Sequence, residues 1–448
     1  MQSTPKSESH LSNGKAAILG FQHLLAMYAG DVIVPLMIGG ALHFSAAQMA
    51  ALICADIFMC GIATLLQLKR TPLTGIALPV VLGCAVQAVG PLKTIGAQYG
   101  LGVMYGSIIA AGIFVFLISG WFAKLKSFFP PVVTGSLITI IGFSLVPVGF
   151  QDLGGGDLAS KSFGAPSALL VGFFTMVVIL LLNAYAKGFL KSISILVGIL
   201  AGTLLAEAMG MVSLKSVGQA SWLQLPQPFR FATPKFEWSS IVTMILVSLT
   251  TMIESTGVFF ALGNITGKEV NSDDLKRGYR AEGLAVILGG IFNTFPYSTF
   301  SENVGIVQLS GVKTRQPVYY SAVFLMLLGL LPKVGALATA VPTPVLGGAM
   351  IVLFGMVGVQ GIRMLQDVDF QNNNNLLVAA ISIGLGMGVT VYPQVFQDLP
   401  TSVQIILDNG VVIGSFSALL LNILLNRRAK PAVVEAQVQS QAVESKSK

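Results

Sequence analysis

The sequence predicts an all-α polytopic membrane protein. Three observations carry that reading: a composition too apolar for a soluble globule, apolar segments of spanning length along nearly the whole chain, and a short internal repeat. Of 448 residues, 54% are hydrophobic and only 10% are charged, and the mean hydropathy is +0.79. Soluble domains carry about 25% charged residues. Apolar segments recur at 15–42, 47–67, 101–123, 131–150, 166–186, 190–213, 239–263, 373–393 and 406–426. Most are about 20 residues long, enough to cross a hydrocarbon core of about 30 Å.

The first segment follows a polar stretch with Lys6 and Lys15 and lacks a small-residue cleavage site, so it reads as a retained helix rather than a signal peptide. Net charge is +7, but placement matters more than the sum. With a cytoplasmic N-terminus and fourteen crossings, the outer side holds Lys93, Lys161, Lys215, Arg230, Lys235 and Lys333. The other 20 of the 26 Lys and Arg, among them Lys69, Arg70, Lys126, Lys268, Arg277, Arg427 and Arg428, then lie inside. That asymmetry obeys the positive-inside rule and puts both termini in the cytoplasm. The basic balance reports topology and implies no nucleic-acid partner. Cys54, Cys60 and Cys84 fall in apolar stretches without metal-ligand spacing and read as small buried hydrophobes.

The repeat pairs PVVTGSLITIIG at 131–142 with PVLGGAMIVLFG at 344–355. Pro131/Pro344, Val132/Val345, Gly135/Gly348, Ile138/Ile351 and Gly142/Gly355 all match 213 residues apart. The charge count runs the first copy outward and the second inward, so the repeat is inverted. Inverted repeats are typical of secondary transporters, whose sites lie at the repeat interface near the midplane. Two further regions are too short and broken for ordinary spanning helices: 76–92, IALPVVLGCAVQAVGPL, and 295–311, FPYSTFSENVGIVQLSG. Each is expected to begin with a β-tolerant stretch and to become a half-helix from its glycine onward. Paired interruptions of this kind point to a transporter binding site, because half-helix N-termini turn free N–H groups toward ligand.

The stretch 264–280 reads as the main cytoplasmic linker of the second half, and 214–238 as a long outer linker between the halves. The polar tail 429–448 is expected to be disordered.

Carboxylates inside apolar spans are functional candidates by default. Glu254 (in MIESTG), Glu282 (in RAEGLAV), Glu302, Asp31 and Asp56 qualify, whereas Glu207 sits near a helix end. A carboxyl in a low-dielectric cavity can load and release a proton near neutral pH. It can also accept hydrogen bonds from a ligand's N–H groups, each worth roughly 1.5–3 kcal/mol when charged. Helix–helix adhesion by polar residues is the competing reading.

FSENVGIVQLSG resembles the signature of the nucleobase–ascorbate transporter (nucleobase:cation symporter 2) family, with Glu302, Asn303, Gly305, Ser310 and Gly311 in its motif places. FQHLLAMYAG with His23, GIALPVVLG, ESTG with Glu254 and AEG with Glu282 extend the resemblance over residues 15–428. The context LPVVLGCAVQAVGP and NVGIVQLSGV looks most like bacterial xanthine and uric acid permeases. The resemblance implies fourteen segments in two inverted seven-segment repeats, with short β-strands in segments 3 and 10.

It divides the chain into a cytoplasmic tail (1–14), core (15–126 and 239–338) and gate (127–213 and 339–428), around the linker 214–238. It further implies a homodimer in the inner (plasma) membrane that imports a nucleobase with a proton, by alternating access and without other cofactor or metal. Glu254 and Glu302 would bind the base, Asn303 and Gly305 would shape the site, and backbone at Val80, Val81, Leu82 and Gly83 would meet the base from the opposing half. Glu254, Glu282, His23 and Ser310 would support proton coupling.

Position 302 is more often Gln in purine-type members and Glu in uracil-type members, yet the His usual in uracil-type members one turn after the first Glu is Val258 here. Ser310 stands where Thr is usual. The expectation is therefore an oxidised purine, xanthine or uric acid, with uracil as the alternative. An anion transporter of the same architecture would want cations at the facing half-helices. An enzyme finds no Ser/His/Asp set, metal cluster or phosphate loop within the spans.

Overall fold

A computed structural model describes residues 11–124 and 130–426. Most of the N-terminal tail, the core–gate boundary at 126/127, Lys6, Lys126, Arg427, Arg428 and the tail 429–448 lie outside the described residues. The first half runs α1 (Asn13–Ala41), α2 (Ala46–Leu68), β1 (Leu82–Cys84), a 3-10 turn (Val86–Ala88), α3 (Val89–Tyr99), α4 (Leu101–Phe122), α5 (Pro131–Leu153), α6 (Pro166–Tyr185), the short α7 (Phe189–Ser192) and α8 (Ser194–Ala208). A single turn, α9 (Lys215–Gln219), lies in the linker. The second half runs α10 (Trp238–Thr266), α11 (Ser272–Ile291), β2 (Tyr297–Thr299), α12 (Ser301–Ser310), α13 (Gln316–Gly329), α14 (Pro332–Thr339), α15 (Thr343–Leu365), α16 (Asn373–Val391), a 3-10 turn (Pro393–Phe396), α17 (Thr401–Leu407) and α18 (Gly410–Asn426).

Helix starts follow local chemistry. Pro131, Pro166, Pro332 and Pro344 occupy first-turn positions, where a missing N–H costs nothing. Ser45 with Gln48 and Asn271 with Asp274 form capping boxes. Glu237 caps α10 by accepting from the Ser239 and Ser240 amides at 3.0 and 2.7 Å. Partial burial opposes its charge, but these bonds win and hold the carboxyl down at about 2.

Among the described residues eight helices are long and apolar enough to cross a membrane: α1, α2, α4, α5, α6, α10, α15 and α16. The pair α13–α14, bent by 81°, makes a ninth if it counts as one span. The expected fourteen are not reached by length and hydropathy, for identifiable reasons. Helices α8 and α18 are apolar but short. Helix α11 opens on the charged stretch SDDLKRGYR, and α3 and α12 are half-helices that follow strands. The outward sides of α6 and α16 carry exposed Phe173, Leu180, Ile381 and Leu385, so the protein is apolar outside as well as within. It is a multi-pass membrane protein.

The helices pack in two groups. In one, α1, α2 and α4 pack against α10, α11, α13 and α14; in the other, α5, α6 and α8 pack against α15, α16 and α18. Small residues set the closest approaches, as expected where lipid removes the hydrophobic drive between helices. The repeat copies α5 and α15 cross antiparallel: a Cβ on Gly142 would lie 2.1 Å from the Gly358 nitrogen, and one on Gly347 2.1 Å from the Leu153 nitrogen. Helices α4 and α11 meet through Gly112 and Gly283 in the same way.

Both interrupted regions hold a strand followed by a helix. The strands β1 and β2 pair antiparallel, Leu82 with Thr299, Gly83 with Ser298 and Cys84 with Tyr297. Every one of these residues is buried, so the two-stranded ladder satisfies backbone groups that the bilayer could not. One expectation is corrected here. The second half-helix begins at Ser301, four residues before Gly305, because strand pairing ends at Thr299 and the Phe300 amide closes on the Val81 carbonyl at 2.9 Å. Gly311, at φ 65°, ends that helix.

Candidate substrate site

The strand pair brings both half-helices to one place beside α10 and α1. Glu254 projects from the middle of α10, and the Gln87 amide, on the turn between β1 and α3, donates to its Oε2 at 3.0 Å and to Thr251 Oγ1 at 2.9 Å. Glu302 lies in the first turn of α12, where the helix dipole favours a negative charge. Its one hydrogen bond among the described side chains is a long one from Ser301 Oγ, 3.5 Å. Glu254 and Glu302 are close enough to repel one another, as are Glu254 and Glu282. The three acids therefore form one electrostatic unit, and no Lys or Arg pairs with any of them among the described residues. The ion pairs of Arg70, Lys268 and Arg277 go instead to Asp273 and Asp274, at the start of α11.

One helical turn after each of the first two acids stands a glycine that faces space. A Cβ on Gly257 or on Gly305 would meet nothing within 4 Å. The spacing is the same in both, Glu254 to Gly257 and Glu302 to Gly305, so α10 and α12 each offer a carboxylate beside an unfilled gap.

Asn303 is buried and held from one side. Its Nδ2 lies 3.0 Å from His23 Nδ1 and donates to the His23 carbonyl at 3.1 Å, while its Oδ1 has no partner among the described residues. With the amide donating to both, Nδ1 carries a lone pair and neutral His23 keeps its proton on Nε2. His23 thereby fixes the Asn303 amide with a free acceptor. Neither carboxylate oxygen of buried Glu282 has a hydrogen bond among the described residues, although the Ser255 hydroxyl is within its electrostatic reach. Ser255 in turn accepts from Thr299 on β2 at 3.1 Å.

Other expected residues sit differently. Ser310 is at the far end of α12 from Glu302, where its hydroxyl donates to the Val307 carbonyl at 3.4 Å and accepts from the Val312 amide at 3.3 Å. The backbone of Val80–Gly83 is largely engaged by protein: Val80 N–H to the Leu78 carbonyl, the Val81 carbonyl to Phe300, and Leu82 N–H to Thr64 Oγ1 at 3.0 Å. Gly83 lies under the Phe300 ring, 2.5 Å from where its Cβ would be. Of the first broken segment, Gln87 is the side chain that reaches the acids. Sequence reasoning missed it; its only signal was being the sole amide in an otherwise apolar stretch.

Asp31 and Asp56, weighed as candidates, belong to a separate cluster behind β1. Asp31 Oδ1 accepts from the Cys84 amide at 2.7 Å and lies 3.3 Å from Cys60 Sγ. Asp56 accepts from Cys84 Sγ and the Tyr297 hydroxyl, both at 3.0 Å. The ligand atoms of Asp31, Asp56 and Cys60 lie within 4.8 Å of one another, a spacing a metal could bridge. Hydrogen bonds within the cluster already use these atoms, so it reads as a strut beneath the strand. Two of the three cysteines are thus more than the inert hydrophobes expected of them.

Residues 14–395 match the model of a permease family, the one that gathers xanthine and uric acid permeases. This chain belongs to the nucleobase–ascorbate transporter family. The family member is a transporter rather than an enzyme. It is 50% identical to the xanthine permease of Bacillus subtilis (strain 168), over 95% of this chain and 97% of that one. It is 51% identical to the uric acid permease PucK of the same organism, over 90% and 94%, and 41% identical to the uric acid transporter UacT of Escherichia coli (strain K12), over 94% and 88%. Among solved structures the transporter's fold is similar to the transmembrane domain of the cyanobacterial bicarbonate transporter BicA, with a TM-score of 0.62 at 16% identity over 92% of this chain and 98% of that one. It is also similar to the murine Slc26a9 anion transporter in its inward-facing state, with a TM-score of 0.63 at 14% identity over 94% and 69%.

Proposed function

We propose that this family member is a proton-coupled symporter that imports an oxidised purine, xanthine or uric acid, by alternating access. The observation that carries the reading is the pairing of two carboxylates with two open glycine positions, Glu254 with Gly257 and Glu302 with Gly305. Beside them stand the Gln87 amide and the unpartnered Asn303 Oδ1. Oxidised purines present several ring N–H donors beside carbonyl acceptors. Carboxylates and Asn303 Oδ1 suit the donors, and the α12 N-terminus suits a carbonyl. The names of relatives about half identical to this chain, a xanthine permease and a uric acid permease, support the same substrate class.

The acids supply the coupling. Three carboxyls, two of which repel Glu254, cannot all stay charged without a cation in a low-dielectric site, so at least one binds a proton when the site closes. Glu254, which is coupled to both others, exchanges that proton in step with the base; Glu282 and His23 support it. In this reading the group containing α1 and α10 is the core and the group containing α5 and α15 is the gate. The eight long helices, together with α8, α11, α18, the bent pair and the two strand–helix units, make fourteen segments in two inverted repeats. Both termini face the cytoplasm, the protein sits in the inner (plasma) membrane as a homodimer, and no cofactor beyond the proton takes part. The structural likeness to bicarbonate and anion transporters extends to fold alone.

The deciding experiment is competition uptake in cells lacking their own nucleobase permeases. Labelled xanthine is offered against urate, guanine, hypoxanthine and uracil, for the natural protein and for Glu302→Gln. Xanthine and urate should compete best and Glu302→Gln should retain purine binding. Uracil competing best moves the substrate class to pyrimidines, and loss of purine binding in Glu302→Gln means the acid itself is required.

A further inference from the structure

A cavity of about 770 Å³ opens on the face opposite the chain's N-terminus, the outer face in the orientation proposed above. It lies between the two packing groups. Ile33 and Met37 of α1 and Lys93 of α3 form one wall; Asp152 of α5 with Thr343 and Met350 of α15 form the other. Its size falls within the range of small-molecule pockets, about 300–1,000 Å³.

Three elements tie the floor of this cavity to the acids. On α3, Lys93 is six residues beyond Gln87, roughly 9–12 Å along a helical path. On α1, Gly30 is one turn below Ile33, and on α15, Leu353 is one turn below Met350. Gly30 meets both the Phe300 ring and Leu353: a Cβ on Gly30 would lie 3.2 Å from Phe300 Cε1 and 3.9 Å from Leu353 Cδ2. Phe300 is two residues from Glu302. Phe300 thus lies about one helical turn inward of the lining residues Ile33 and Met350, between the cavity and Glu302.

Its charged groups are opposite in sign: Lys93 on one wall faces Asp152 on the other, and Asp157 also lines the cavity. Lys93 and Asp152 feel each other's charge across the gap but form no ion pair among the described residues. An ammonium offers three donors and a carboxylate offers acceptors, on opposite sides of a space that a planar ring can enter.

We propose that this cavity is an encounter subsite for the transported base. Lys93 donates to a ring carbonyl or a ring anion, and Asp152 accepts from a ring N–H, before the base passes Phe300 to reach Glu254 and Glu302. The inference rests on the nucleobase reading above. An encounter subsite speeds arrival and departure together, so it moves KM through the on-rate and leaves the equilibrium Kd of the main site alone.

The test measures initial uptake of labelled xanthine by Lys93→Met, Lys93→Arg and Asp152→Asn, normalised to protein in the membrane, together with equilibrium xanthine binding to each purified variant. KM should rise roughly fivefold to tenfold in Lys93→Met and by less in Asp152→Asn. Kd should stay within about twofold of the natural protein, and Lys93→Arg should bring KM back. If Lys93→Met does not reach the membrane, Asp152→Asn carries the test alone. An unchanged KM in these variants overturns the subsite, and so does a Kd that rises in step with KM. A natural protein that takes up no nucleobase overturns the proposed function as well, which separates the two failures.

Discussion

Gly305→Ala should move stability and transport in opposite directions. Gly305 lies inside α12, and an added Cβ meets no atom within 4 Å. Alanine is favoured over glycine in a helix interior by about 0.8–1.0 kcal/mol, so the variant should be slightly more stable, with Tm up by about 1–2 °C. The same methyl enters the gap beside Glu302. Forcing a methyl into a fitted site costs about 1–3 kcal/mol. At 1.4 kcal/mol per tenfold, that is roughly 5- to 150-fold in affinity. Thermal unfolding of the purified protein and xanthine uptake measure the two effects on one variant. A lower Tm would mean that the gap is already filled by packing. Unchanged uptake in a stable variant would mean that the base binds elsewhere, and the argument from the paired glycines would fail.

Gln87→Leu removes the bonds to Glu254 and Thr251 at 3.0 and 2.9 Å while keeping a similar volume. A hydrogen bond to a charged group is worth about 1.5–3 kcal/mol, so kcat/KM for uptake should fall by roughly one to two orders of magnitude at unchanged membrane expression. Gly142→Ala and Gly355→Ala change corresponding positions of the internal repeat with different outcomes. The first sets a Cβ 2.1 Å from backbone nitrogen and should cost about 1–3 kcal/mol of stability or more, whereas the second lies inside α15, meets nothing within 4 Å and should raise Tm slightly, as in Gly305→Ala.

The residues carried the architecture further than the contacts. Charge scarcity and twenty-residue apolar runs announce a membrane protein because the bilayer admits little else, and Pro and Gly in 76–92 and 295–311 mark the two breaks for the same reason. Where α12 starts was not legible, since the end of the strand pairing sets it rather than the nearest glycine. The acids Glu254, Glu282 and Glu302 stand out in the sequence through the cost of burying them. Gln87 does not, because a buried amide is unremarkable until its partner is known. The 131–142 and 344–355 copies were visible as a repeat, but that the helices carrying them cross at Gly142 and Gly358 depends on three-dimensional packing. The cavity at Lys93 is likewise a property of the space between helices, which no single segment encodes.

The β1–β2 ladder also constrains how the protein is made. Leu82–Cys84 pair with Tyr297–Thr299, so two-thirds of the chain must leave the ribosome before β1 has its partner. Until then the backbone groups of β1 that face β2 have no mate, in a solvent that supplies none. The Cys84 amide at least can be met early, because Asp31 lies upstream of it. The first half of the transporter thus enters the membrane carrying an unfinished seam, and the segment that supplies Glu302 is also the one that closes it.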